Sequence, residues 1–200
     1  MIPLVYNPEW DRWRLWKEAQ TRLLQAAKDW KLPAPVFYSQ CRPNSRRYLS
    51  GGTLYGEYMT PNRIWVNVDL ATPPSKPQPF RVKRIWVWSY PGYKVDRTVS
   101  GIAAHEFGHH CWYRSAACRN RSKWQSIVEH SKPVSGYEPT IGEAFAESMR
   151  IYIFNPDLLH KARPSRYDFI AQFFPPLHNM QWQDVLINAP DFIKRAAERF

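Results

Sequence analysis

The sequence predicts an α+β fold in which one small twisted mixed sheet is followed by a predominantly helical C-terminal part. Three observations lead there. Between Val36 and Trp88 the chain breaks into short pieces rich in β-branched and aromatic residues, separated by turn residues. Before and after that region, apolar residues recur at helical spacing. Finally, 18 prolines against 8 glycines favour short elements with rigid connections over long uninterrupted helices. A length of 200 residues suits one domain with a sizeable core rather than two, so residues 1–200 are read as a single unit. A hydrophobic share of 44%, with 16% aromatics, excludes disorder through lack of apolar surface.

The first element, within residues 1–33, is an amphipathic helix. Asn7 and Pro8 form an N-cap and first-turn pair, and Trp10, Trp13, Trp16, Leu23, Leu24, Ala27 and Trp30 recur up to the break at Leu32-Pro33. Core packing is the natural use of this stripe.

Residues 36–95 form the sheet region, with strands expected in VFYSQ, GTLYGEYM, RIWVNVDL and RIWVWSY. The segment Gly51 to Asp69 reads as a hairpin turning at Thr60-Pro61-Asn62, and Thr72 to Pro79 as a proline-rich loop inside the domain.

A helix over 96–113 starts near Thr98 or Ser100 and offers Ile102, Phe107 and Trp112 for packing. Arg114 to Tyr137 reads as a basic, polar connection. Pro139 opens a second helix over 139–154, PTIGEAFAESMRIYIF, stopped by Asn155-Pro156. Residues 156–200 are expected as short helices divided by prolines.

The 96–113 helix carries HEFGH. His105 and His109 are four residues apart, so they share a helix face and both imidazoles can reach one ion. Glu106 lies on an adjacent face, where its carboxylate can deprotonate a metal-activated water, as the HExxH pattern requires. A chance HExxH in a chain of this length arises on the order of once in a hundred.

Catalytic zinc takes three protein ligands and leaves a position for water. No histidine stands where an HExxHxxGxxH extension would place it. Glu143, in GEAFAES, is the leading candidate for third ligand, with Glu147 on the same helix face as the carboxylate that orients His105. Two acids within so apolar a helix would be costly without a cation. His130 is the rival third ligand. His110 is turned away from its neighbour His109, and His160 and His178 lie among the proline-bounded pieces.

These residues carry a family resemblance. HEFGH followed by a helix with ExxxE resembles the gluzincin branch of the zincin metallopeptidases, which includes thermolysin and the anthrax lethal factor catalytic domain. EAFAESMRIY is similar to the third-ligand helix of the lethal factor type, and FAESMRIYIFNPDLLHKARPSRYDFI to zincin-like domains of phages and prophages. The resemblance implies a zincin-like fold, a Zn2+ ion on His105, His109 and Glu143, and a protein or peptide substrate. It further implies that Tyr137 stabilises the tetrahedral intermediate, and that an edge strand, GTLYGEYM or RIWVNVDL, lies above the cleft and pairs with extended substrate. It covers roughly residues 51–174.

The expected function is therefore zinc-dependent peptide-bond hydrolysis. The alternative is a zincin-fold structural or binding protein, such as a phage virion or toxin component, with zinc as a structural ion. Glu106 favours the enzyme, since a structural site has no reason to place it beside the ion.

A net charge of +11, with basic clusters at Arg42 to Arg47, Arg81 to Arg84 and Arg114 to Lys123, suits nucleic-acid phosphates or acidic proteins as partners. No apolar run is long enough for a membrane span, and no signal peptide is legible. Cys41, Cys111 and Cys118 form no CxxC, which fits a reducing compartment. The expected location is cytoplasmic or virion-associated.

Overall fold

The computed structural model describes residues 8–40, 55–71, 80–82, 85–87 and 97–177, with side chains for 12–40, 55–71 and 97–177. Helix α1 spans Pro8–Asp29. Strands β1 (Val36–Tyr38), β2 (Gly56–Met59) and β3 (Arg63–Val66) follow, and then a 3-10 turn at Val68–Leu70. Strands β4 (Phe80–Val82) and β5 (Ile85–Val87) come next. Helix α2 (Val99–Arg114) leads through a 3-10 turn at Ala116–Asn120 into α3 (Arg121–Glu129). The chain continues with α4 (Ile141–Phe154), α5 (Pro156–Ala162) and α6 (Pro164–Ala171).

The architecture is α+β with a small mixed sheet. Its order is β1-β3-β2, with β1 parallel and β2 antiparallel to β3. Strands β4 and β5 pair separately, as a second two-stranded sheet rather than as an extension of the first. Phe80, the residue after the expected proline-rich loop, opens β4, a strand the sequence reading did not expect. The expected hairpin turn at residues 60–62 joins β2 to β3, with a cis Thr60-Pro61 bond. The loop expected at Thr72 to Pro79, residues 51–54 of the hairpin, and the pieces expected beyond Leu177 lie outside the described residues.

Helix α1 ends in a Schellman arrangement. Lys31 adopts a left-handed φ of 55°, Lys31 N–H donates to Lys28 O at 3.1 Å and Leu32 N–H to Ala27 O at 2.8 Å. Pro33 then bars continuation. Trp16, Leu23, Ala27 and Trp30 are buried as a core stripe should be, whereas Trp13 and Leu24 are substantially exposed.

Helix α2 is the axis of the fold and is buried along nearly its whole length. Sheet strands β2 and β3 pack on it from one side, and α4 and α1 from others. A helix buried all round cannot show a clean amphipathic stripe, and VSGIAAHEFGHHCW has none. Thr98 caps it by accepting a hydrogen bond from Gly101 N–H at 3.0 Å.

One hydrophobic cluster runs from Trp16 to Phe174, linking α1, β3, α2, α4 and α6. Among the described residues no helix is long and apolar enough to cross a membrane. The connection from Arg114 to Tyr137 is not simply polar loop: it contains the 3-10 turn and α3. Trp124 is buried there and Ile127 and Val128 pack beside it, an i, i+3, i+4 stripe masked by the flanking charges.

Candidate metal centre

Two helices build the site. α2 presents His105 and His109 one turn apart, with ring centroids 5.0 Å from each other. α4 begins at Ile141, two residues after the predicted Pro139, because Thr140 caps it by accepting from Glu143 N–H at 3.2 Å. The cap therefore fixes the first turn, the turn that carries Glu143.

The helices cross at close range. A Cβ added to Gly108 would stand 2.7 Å from the Ala146 Cα and 2.9 Å from its carbonyl oxygen. Glycine at 108 and alanine at 146 thus allow near backbone contact midway between the two pairs of polar residues.

Across that contact Glu143 Oε2 lies 3.0 Å from His105 Nε2 and 3.2 Å from His109 Nε2. Among the described residues His105, His109 and Glu143 form a group whose ligating atoms all lie within 4.8 Å of one another, and it could hold a metal ion. Tetrahedral zinc with bonds of about 2.0–2.1 Å has ligand-to-ligand edges of roughly 3.3–3.4 Å. The observed separations are close to that edge, and two imidazoles with one carboxylate form a donor set suited to zinc. The residues fit a metal.

Glu147 stands behind His105, its Oε1 2.6 Å from His105 Nδ1. Its other partner is Arg150, whose Nε donates to Oε1 at 3.2 Å and Nη2 to Oε2 at 2.9 Å. Both side chains are buried. Arg150 is the cation that the sequence reading left out, three residues after Glu147 on the same helix face.

Burial opposes charge on His105, Glu143 and Glu147, and their mutual contacts outweigh it. His105 is disfavoured as a cation by burial, yet hydrogen bonds to Glu143 and Glu147 push its pKa up to about 10. Burial would raise Glu143, but the two imidazoles hold it well below the usual carboxylate range. Burial would likewise raise Glu147, and Arg150 first, then His105, bring it down to about 2.

Glu106 lies on the sheet side of α2. A Cβ on Gly56, the first residue of β2, would stand 2.7 Å from Glu106 Oε1, so this carboxylate is packed against the start of that strand. Of the two candidate strands, β2 is at the edge of the three-stranded sheet and β3 is its centre. Tyr137 lies on the α4 side, its ring centroid 5.9 Å from that of His105.

The other histidines are elsewhere. His130, the rival third ligand, caps α3 from an exposed position and bonds to Ser126 O at 2.7 Å. His110 stacks on Phe107, and its Nε2–H donates to Pro33 O at 2.9 Å. Burial lowers its pKa to about 4, which keeps it neutral. His160 packs on Tyr167, and His178 lies outside the described residues. Cys111 is a buried thiol and Cys118 is half-buried; Cys41 is outside the described residues.

No family model, curated protein or solved structure matches this chain.

Proposed function

We propose that the protein is a zinc-dependent peptidase, with His105, His109 and Glu143 as metal ligands and Glu106 as general base. One observation carries the reading: two imidazoles and a carboxylate converge, Glu143 Oε2 standing 3.0 Å and 3.2 Å from the two Nε2 atoms, and the residue after His105 is a glutamate packed under an edge strand. A zinc ion held there would supply a Lewis acid that acidifies water and polarises a peptide carbonyl.

The chain's own residues supply the rest. Glu147 holds the His105 ring by Nδ1, so that Nε2, on the Glu143 side, would be the atom to hold an ion, and Arg150 keeps Glu147 ionised. Glu106 accepts the proton of the attacking water and returns it to the leaving amine. Tyr137, beside His105, donates a hydrogen bond to the carbonyl oxygen as it gains charge. Strand β2, at the edge of the three-stranded sheet among the described residues, is placed to pair with an extended peptide, which favours protein over small-molecule substrates. Arg114, Arg119, Arg121 and Lys123 are exposed, a surface that suits acidic substrates or nucleic acid.

The test is metal content together with cleavage of a mixed peptide library. Wild type should carry about one zinc per chain, and Glu143→Ala little or none. Glu106→Gln should keep its zinc and lose cleavage. A metal-free wild type that cannot be loaded, or cleavage retained by Glu106→Gln, would overturn the assignment. Zinc bound without cleavage would leave a structural ion in a binding protein.

A further inference from the structure

Tyr137 belongs to the stretch between α3 and α4, which has neither helix nor strand to hold it in place. Its backbone is tied by side chains instead. Glu138 Oε1 accepts from Val134 N–H at 2.6 Å and from Ser135 N–H at 3.2 Å, so the carboxylate folds the loop back on itself. Tyr137 N–H donates to Ser135 Oγ at 3.1 Å.

Two buried arginines bordering and within α6 grip this loop. Arg166 Nη1 donates to Glu138 Oε2 at 2.9 Å and to Ser148 Oγ at 3.1 Å, while its Nε donates to Ser131 Oγ at 2.9 Å. Arg163 Nε donates to Lys132 O at 2.6 Å and its Nη2 to Pro133 O at 3.0 Å. Arg166 is fully buried and Arg163 nearly so. Ser148 is the decisive partner, because it follows Glu147 on the helix that also carries Glu143. One guanidinium thus joins the third-ligand helix to the loop that bears Tyr137.

We infer that the Glu138–Arg166 pair is a positioning device that sets the Tyr137 ring against His105 and the metal centre. Resting on the peptidase reading, it adds a second group of residues to that site. Charge-assisted hydrogen bonds in a buried setting have the directionality to hold one loop geometry. Glu138 is adjacent to Tyr137, so a change in its carboxylate is passed directly to the ring. A device that served only to stabilise the fold would not need to couple the tyrosine loop to the ligand helix.

The experiment is 19F NMR of protein carrying 3-fluorotyrosine at its 11 tyrosines. The Tyr137 line is identified by its loss in Tyr137→Phe. In wild type that line should be sharp and should move on addition of zinc alone. Glu138→Gln keeps the side-chain shape and an acceptor for the loop amides, but removes the charge that faces Arg166. It should shift or broaden the Tyr137 line, abolish most of its response to zinc, and leave zinc content and the other tyrosine lines unchanged. In a peptidase assay the variant should lose kcat with little change in KM, and Tyr137→Phe should add nothing to it.

An unchanged Tyr137 line in Glu138→Gln would overturn the inference, as would independent effects of the two substitutions. Should Glu138→Gln unfold, Glu138→Asp keeps the charge but draws the carboxylate back from Arg166 and from the Val134 and Ser135 amides, and must move the same line. A wild type that binds no zinc would defeat the peptidase reading and remove the metal response. The effect of Glu138→Gln on the Tyr137 line would still decide whether the pair positions that ring.

Discussion

Glu147 Oε1 lies 2.6 Å from His105 Nδ1, with Arg150 bound to both oxygens of the same carboxylate. The imidazole is therefore oriented by a group that is itself oriented. In this arrangement Nε2 is left to face Glu143 and His109, which selects the one ring nitrogen able to bind an ion shared with them.

Glu147→Ala should be severe in two separable ways. It takes from the buried Arg150 guanidinium the carboxylate that pairs with it, and breaking a buried pair from one side costs about 3–5 kcal/mol. It also frees His105, which should weaken zinc binding by roughly 10–100-fold. Denaturant unfolding of the metal-free protein reads the first effect, and competition with a chelator reads the second. Glu147→Gln, which keeps an acceptor for His105, should recover much of the zinc affinity. Equal affinity in Glu147→Ala and wild type would show that His105 needs no orienting partner.

Zinc uptake should release a proton. In the metal-free protein His105 holds its proton up to about pH 10, because Glu143 and Glu147 outweigh burial. An imidazole must be neutral at Nε2 to bind a metal, so across neutral pH the ion displaces that proton. Apparent affinity should rise about tenfold per pH unit between roughly pH 7 and 9. The metal-free fold responds the other way. The stabilisation from charged His105 is complete below its ordinary pKa of 6.5 and fades as pH rises toward 10. That from Glu143 and Glu147, both depressed, is lost as pH falls through the carboxylate range. Calorimetry in buffers of different ionisation enthalpy counts the proton; a count near zero would mean that His105 is already neutral.

Periodicity made the α+β class, α1 and α4 legible in the sequence, and the cap candidates Thr98 and Ser100 marked the start of α2, with the single face shared by His105 and His109. Spacing alone could also have found Arg150, three residues from Glu147, had that face been searched for a cation. Other features were hidden for physical reasons. α3 has one buried large side chain, Trp124, among charges that suggest loop. β4 has three residues, too few for a pattern of period two, whereas β5 falls within the expected strand RIWVWSY. The Glu138–Arg166 pair spans 28 residues, so no local rule brings its members together. Nor could the sequence say that Gly108 meets Ala146, since a glycine inside a helix reads only as a weakness until the neighbouring helix is in place.

Gly108→Ala tests that crossing. Alanine is better than glycine within a helix by about 1 kcal/mol, and on propensity alone the variant would gain stability. The new Cβ, however, would meet the Cα and carbonyl of Ala146, backbone atoms that cannot swing aside. Overpacking of this kind costs typically about 1–3 kcal/mol, so the helices should separate and the net effect be destabilising. The same separation draws Glu143 away from the histidines. Both the thermal midpoint and zinc affinity should fall, and a stabilised variant with full zinc affinity would disprove so close an approach.

Gly56→Ala should behave differently, because the atoms its Cβ would meet are side-chain atoms: Glu106 Oε1 and Cγ, and Ile102 Cγ2, all within 2.8 Å. These can move where the backbone at Ala146 cannot. Alanine also costs less chain entropy than glycine in a strand, which offsets part of the strain. Stability should therefore change by less than about 1 kcal/mol. The displaced group is the proposed general base, and general-base catalysis contributes about 10²–10⁴-fold, so peptide cleavage should drop by one to several orders of magnitude. Zinc content should not change, since neither His105, His109 nor Glu143 is touched. Measuring zinc, thermal midpoint and cleavage on one preparation separates the outcomes. Loss of cleavage alone ties the start of β2 to Glu106, whereas full cleavage would mean that Glu106 acts from a position the strand does not control.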